Sequence, residues 1–273
     1  MKKCFLLLLL CLLASFNLEA QIFSRQASVS HSINSLYRKA TKDELKKIAP
    51  SPELFEKYAG FLRQPNTGLT KLVADVGCAE NTKIVVATDE CLKYTMPGAG
   101  FSYSFRTDSY RIPRLADLIF TNNSFQAAGI FLHGIFVNIG DVPLDKGTLQ
   151  TNGLEFLVNF QPEVDYAKAK EIDRHLTKGI EKSGFLYRRG LYTVENTTFV
   201  LRSIAYQGKY FQTIKGVTYN EFAFDKRKDI IVAFRIVQKH ADESVTILWK
   251  ELARKNAPRI KKKDRAADAQ RIN

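Results

Sequence analysis

The chain has 273 residues, of which 45% are hydrophobic and 25% charged, and a net charge of +13 at neutral pH. These proportions exclude a disordered or fibrous chain and describe an ordinary globular one. Residues 254–273 hold eight basic and two acidic side chains with no aromatic among them, so the charge excess is local and does not mark a specific nucleic-acid binder.

In chain order, the first element is a leader. Lys2 and Lys3 precede an apolar run over residues 5–16, and Ala20-Gln21 follows a short polar stretch. A charged start, a short apolar core and a small residue at the cut form the pattern of a secretory signal peptide. A run of this length falls short of the ~20 apolar residues needed to span a bilayer. Cys4 and Cys11 are wrongly placed for lipidation. Cleavage after Ala20 is preferred, with a site near Ser15 as the alternative, and the chain is expected to be secreted or periplasmic. No later segment reads as transmembrane; the most apolar one, 127–139, is too short and contains His133 and Asn138.

After a loosely ordered arm at 21–40, Thr41 and Glu44 form a capping box for a helix that must stop before Pro50. Ser51 and Pro52 open a second helix, in which Leu54, Tyr58, Phe61 and Leu62 form one apolar stripe. From residue 69 the period changes to that of strands. Strands are expected over 69–76, 83–88, 101–106, 115–121, 129–139 and 154–160, separated by breakers such as 97–100 and 121–124. One amphipathic helix is expected over 162–183, with Ala169, Ile172, Leu176 and Ile180 inward, Lys168, Lys170, Asp173, Arg174 and Lys178 outward, and Gly184 as its stop. Four further strands follow over 197–206, 216–224, 229–239 and 245–252, the last three joined by short turns as an antiparallel meander. In the final pair Ile230, Val232, Phe234 and Ile236 face Val245, Ile247 and Trp249, which places Trp249, the only tryptophan, in the core.

The expected fold is therefore α+β: mainly antiparallel sheet, curved or sandwich-like, with a small N-terminal helical segment and the helix at 162–183. It forms one globular domain over 41–253, or two β halves around that helix, followed by a disordered basic tail at 254–273. Deletion from Asn256 onward is expected to leave folding intact.

Cleavage leaves two cysteines, Cys78 and Cys91, read as a disulfide closing a loop of about 14 residues and adding up to about 3 kcal/mol. Neither cysteine has a metal partner at ligand spacing, no histidine pair has it either, and no metal or cofactor is expected. Among the four histidines, His31 lies in the arm, while His175 and His240 read as surface residues. His133 sits inside the most apolar stretch, where a lone histidine is a hydrogen-bonded core residue before it is a catalytic base. No Gly-x-Ser-x-Gly or Ser-x-x-Lys motif occurs. The Gly-rich segment 97–102 leads into a strand instead of a helix, so it is a turn and not a phosphate cradle. Asp89-Glu90 and the Asp141/Asp145 loop lack the spacing for paired chemistry or calcium. Asn122 and Asn196 begin glycosylation sequons that matter only in a eukaryotic secretory pathway.

Aromatic residues cluster in three groups, Tyr103 and Tyr110 around Arg106, then Tyr187, Arg188, Arg189 and Tyr192, then Tyr206, Tyr210 and Phe211. Exposed, such groups suit recognition of carbohydrate or protein. The sequence thus favours a non-catalytic binding or envelope-associated protein. Two other readings are an extracytoplasmic hydrolase with a dispersed site and His133 as its base, and a binder of polyanions or an anionic envelope surface through the tail. A pocket that sets His133 beside a carboxylate separates the hydrolase from a flat recognition surface of Tyr and Arg.

Overall fold

Two five-stranded antiparallel sheets and a cover of short helices make up the architecture. The structure, a computed structural model, describes residues 42–73, 100–214 and 217–261. The leader, the arm, His31, the Cys78–Cys91 pair, Asp89-Glu90, the strand at 83–88 and residues 262–273 lie outside the described residues.

The chain enters through α1 (Lys42–Lys47), α2 (Pro52–Lys57) and α3 (Ala59–Leu62). It then forms β1 (Thr67–Leu72), β2 (Ser102–Ser104), β3 (Ser109–Tyr110), β4 (Leu118–Thr121), β5 (Ser124–Ala127) and β6 (Leu132–Asn138). Two helices, α4 (Glu155–Asn159) and α5 (Tyr166–Lys178), precede β7 (Ile180–Lys182), β8 (Phe185–Tyr187) and β9 (Gly190–Tyr192). The remaining strands are β10 (Thr198–Ala205), β11 (Phe211–Ile214), β12 (Val217–Asn220), β13 (Lys228–Lys239) and β14 (Val245–Asn256). The first sheet has the order β1-β14-β13-β10-β6 and the second β3-β2-β4-β5-β9.

Side-chain alternation decides the layering. On one face of the first sheet, Phe136, Phe199, Leu201, Val232, Phe234, Ile247 and Trp249 meet Tyr103, Phe105, Leu118, Phe120 and Phe125 of the second sheet. Phe125 packs edge-on against Phe234 at 5.0 Å. On the opposite face, Ile135, Val137, Val200, Ile231, Ala233 and Leu248 meet Leu154, Leu157, Leu176 and Tyr187 of the helical layer. The first sheet is covered on both sides, which is why β10 (TFVLRSIA) is buried at all eight positions and lacks the polar alternation of a surface strand. Gly134 permits the close approach of the two sheets: a Cβ there would lie 2.1 Å from that of Ala127.

The pairing of β13 with β14 places Phe234 opposite Trp249 and Ile236 opposite Ile247, as the alternation predicts. Other expectations are corrected. Residues 154–160 form the helix α4, because a short apolar run has no period that separates buried strand from buried helix. α5 starts at Tyr166, where the Asp165 side chain accepts hydrogen bonds from the backbone N–H groups of Ala167 and Lys168, and ends before Gly179. Gly184 is no helix stop. Ser183 and Gly184, both at positive φ, make the two-residue turn between β7 and β8, and Asn122 and Asn123 do the same between β4 and β5. β12 pairs with β11 and not with β13, so the meander reduces to the β13–β14 hairpin.

The tail also begins later than expected. β14 continues to Asn256, and the chain beyond it is stitched down by Gln207 N–H to Pro258 O (2.8 Å), Ile260 N–H to Gln207 O (3.2 Å), Lys261 N–H to Val164 O (2.7 Å) and Tyr166 N–H to Lys261 O (3.1 Å). Truncation after Lys261 is expected to move the thermal midpoint by no more than about 2 °C, whereas truncation after Lys255 should lower it by about 5–10 °C. Equal midpoints for the two truncations in calorimetry would show that these bonds contribute nothing.

Candidate functional site

Most buried charge in this molecule is structural. The Arg106 side chain reaches Asp117 (Nε to Oδ1, 2.7 Å) and Asp225 (Nη1 to Oδ2, 2.6 Å), and Arg227 reaches the same Asp225 oxygen at 2.9 Å. Arg227 also donates to the carbonyls of Tyr206, Ile130 and Phe131 and stacks over the Phe222 ring at 3.9 Å. Burial works against the ionised Asp225 carboxyl, but Arg106 and Arg227 outweigh it and hold the group below the ordinary carboxylate range. On the helical side, Arg202 grips Asp229 with two bonds of 2.9 and 2.7 Å and donates to the carbonyls of Leu157 and Phe160. Every nitrogen of these guanidinium groups has a partner, and together they hold loops to sheets.

The sequence-predicted recognition groups do not form an exposed surface of Tyr and Arg. Tyr103, Arg106 and Tyr187 are 4%, 2% and 1% exposed and face no solvent. Tyr103 and Tyr110 pack edge-to-face at 5.3 Å, the Tyr110 hydroxyl donates to Lys71 O (2.6 Å), and the Tyr187 hydroxyl donates to Gly153 O (3.0 Å). Rings with such partners pack and tether strands. Arg188 belongs to backbone pairing, its N–H and C=O both bonded to Phe136. Tyr192 is exposed at the edge of the second sheet, away from these residues. His240 bonds Thr246 (2.8 Å), and His175 is exposed on α5.

His133 is different. Odd-numbered residues of β6 face the helical layer, so the side chain of His133 meets α5. Its Nδ1 lies 2.6 Å from Asp173 Oδ1, and the other carboxylate oxygen takes Arg189 Nη1 at 2.7 Å. A carboxylate at that distance places the proton on Nδ1 and leaves Nε2 as the chemically active nitrogen. Nε2 is buried and has no hydrogen-bond partner among the described residues. The Tyr206 hydroxyl is in the same condition, and its ring meets His133 edge-on at 5.1 Å. Burial, then the negative charge of Asp173, pushes the Tyr206 hydroxyl well above the usual phenol range, so it remains a protonated donor.

Both side chains line a pocket of about 290 Å³. Tyr166, Ala169, Lys170 and Asp173 enter it from one stripe of α5, at i, i+3, i+4 and i+7. Ile130, Phe131, Leu132 and Ile260 supply apolar wall, and Arg189 stands at the polar end. No serine, threonine or cysteine among the described residues lines it. Among the described residues, no three His, Cys, Asp or Glu side chains converge as a metal set. A larger cavity of about 830 Å³ lies between the N-terminal helices and β2–β3.

Sequence reasoning singled out His133 but missed its partners. The helical period puts Asp173 on the solvent face, and Tyr206 stands in the third aromatic group with no sign that it meets a histidine. Comparisons with protein-family models, curated proteins and solved structures find no match for this chain.

Proposed function

We propose that the chain is an extracytoplasmic binding protein whose pocket at His133 and Tyr206 takes a small molecule. The observation that carries this reading is that two side chains lining the same pocket, His133 and Tyr206, each hold a buried polar atom, Nε2 and Oη, with no partner among the described residues. Leaving a polar group buried and unsatisfied costs about 1–3 kcal/mol, a cost that a ligand bonding both atoms would offset. The secretory leader pattern at residues 1–20 supports the extracytoplasmic address. Among the described residues, no helix is long and apolar enough to cross a membrane.

Binding is favoured over hydrolysis because, among the described residues, the lining offers no serine, threonine or cysteine nucleophile beside the histidine. The His133–Asp173 pair is a general-base geometry, and activation of a water by Nε2 is the specific alternative it allows.

Tyr206→Phe separates a ligand-directed hydroxyl from a structural one. Because the hydroxyl has no partner, its removal is expected to hold or raise the stability of the ligand-free protein, by up to about 1 kcal/mol. The same change should abolish stabilisation by any small-molecule hit from a thermal-shift library screened against the secreted protein. A loss of stability on Tyr206→Phe, with hits unaffected, would assign the hydroxyl to the fold and remove the support for this pocket.

A further inference from the structure

Resting on the reading of this pocket as a ligand site, we propose that its ligand is a small carboxylate with an apolar body, bound by the Tyr206 hydroxyl and by His133 in its doubly protonated form.

The donor and acceptor inventory leads to this class. Tyr206 presents an O–H. Each oxygen of Asp173 already faces a cationic or N–H partner, His133 or Arg189, so the pocket offers a cationic ligand no carboxylate without a counter-charge. Lys170 lines the pocket and has no ion-pair partner among the described residues, and Arg189 adds a second cation. A ligand carboxylate accepts one bond from Tyr206 and one from Nε2–H, which satisfies both buried atoms at once. Two buried donors match two carboxylate oxygens; a phosphate would bring further oxygens to apolar wall formed by Ile130, Phe131 and Ile260. The body of the acid occupies that wall.

The charge balance fixes the sign of the pH dependence. A ligand carboxylate accepts from Nε2 only when that nitrogen carries a proton, so binding is coupled to protonation of His133, whose Nδ1 faces Asp173. The groups facing His133 are Asp173 and Lys170 from α5, Arg189 from the turn between β8 and β9, and Tyr206 from the end of β10. Phe160 contributes only a ring edge at 6.5 Å, and Glu163, Arg202 and Asp229 act on Tyr206 from farther off. Affinity is therefore expected to be higher in mild acid than in mild base.

The test is isothermal titration of the secreted chain with benzoate, benzamide, benzyl alcohol and inorganic phosphate at about pH 5.5 and pH 8, followed in parallel by nitrogen resonances of the His133 ring. Benzoate is expected to bind about tenfold more tightly at the lower pH, to take up close to one proton at the higher, and to exceed both neutral probes about tenfold at pH 5.5. His133→Gln should make benzoate affinity independent of pH; should that variant fail to fold, proton uptake by the unaltered chain decides the matter. Benzamide or benzyl alcohol binding as tightly as benzoate, with no pH dependence, would overturn the carboxylate and leave the pocket reading standing. Phosphate exceeding benzoate would overturn it likewise. Silence of the His133 resonances towards all four probes at about 10 mM would overturn the pocket reading together with the proposal.

Discussion

Asp117→Asn is expected to destabilise the protein by about 3–5 kcal/mol, with a fall in thermal midpoint of roughly 6–20 °C. Asp117 is 0% exposed and stands where the two sheets meet. Its Oδ1 accepts from Arg106 Nε and from the Ser203 hydroxyl, and its Oδ2 from Ser104 Oγ (3.0 Å) and Arg106 N–H (3.1 Å). An amide of the same shape must turn its NH2 group toward one of these oxygen positions. In either orientation it then confronts an Arg106 N–H, which cannot accept. The charges also cease to balance. Arg106 and Arg227 are matched by Asp117 and Asp225, and removal of one carboxylate leaves an uncompensated guanidinium in the interior. Burial disfavours the charge on Arg106, but Asp117 and Asp225 more than offset it and raise its proton affinity, so the arginine does not escape by neutralising.

A double variant, Arg106→Met with Asp117→Leu, should recover part of the loss, because the remaining Asp225–Arg227 pair is balanced in charge. Urea denaturation of the three proteins settles the point. A single variant within about 1 kcal/mol of the parent, or a double variant worse than the single, would show that charge balance is not what holds this network. The same network loosens in acid. The Asp225 carboxyl is held below its ordinary range, so its contribution is fully present at neutral pH and is lost as pH falls through its folded value.

How far the sequence could be read follows from how local each signal is. β13, β14 and the inward face of Trp249 were legible because alternation is a property of neighbouring residues, and so was the antiparallel α+β class. The helix ends were half legible. Asp165 is an N-cap by type, but the competition between Gly179 and Gly184 as the stop depends on a hairpin that forms only against α5. The charged clusters were not legible as clusters, since Arg106 and Asp225 are 119 residues apart and His133 and Asp173 are 40 apart. A signal was present all the same. Asp117 lies within the apolar LADLIF, and Arg202 interrupts TFVLRSIA. A charge inside a buried strand must find a partner. Reading those interruptions as obligations would have announced buried ion pairs, though not their members. Tyr206 carried no such mark, because the absence of a partner for its hydroxyl exists only in three dimensions.

Trp249→Ala should cost about 3–5 kcal/mol, comparable with the loss at Asp117 but of different origin. The indole is 4% exposed and packs edge-on against Phe105 at 5.4 Å and obliquely against Tyr103 at 6.4 Å. Its Nε1–H donates to Thr70 Oγ1 (3.0 Å), so the one polar atom of the ring is satisfied inside the core. Room for the ring comes from β1, where Gly68 is the residue opposite Trp249 in the ladder. A Cβ on Gly68 would fall 2.3 Å from the indole. The pair behaves as a ring and its seat: Gly68→Ala should destabilise by overpacking, by about 1–3 kcal/mol. In the Trp249→Ala background the added methyl instead enters the space the ring has left. The two losses are then less than additive, with the second change neutral or mildly stabilising. Since Trp249 is the only tryptophan, native fluorescence adds a separate reading. A blue-shifted emission poorly quenched by acrylamide is expected, and a red-shifted emission freely quenched would place the ring in water. Strict additivity of the two substitutions in denaturation would sink the account of the seat while leaving the burial of the ring to the fluorescence.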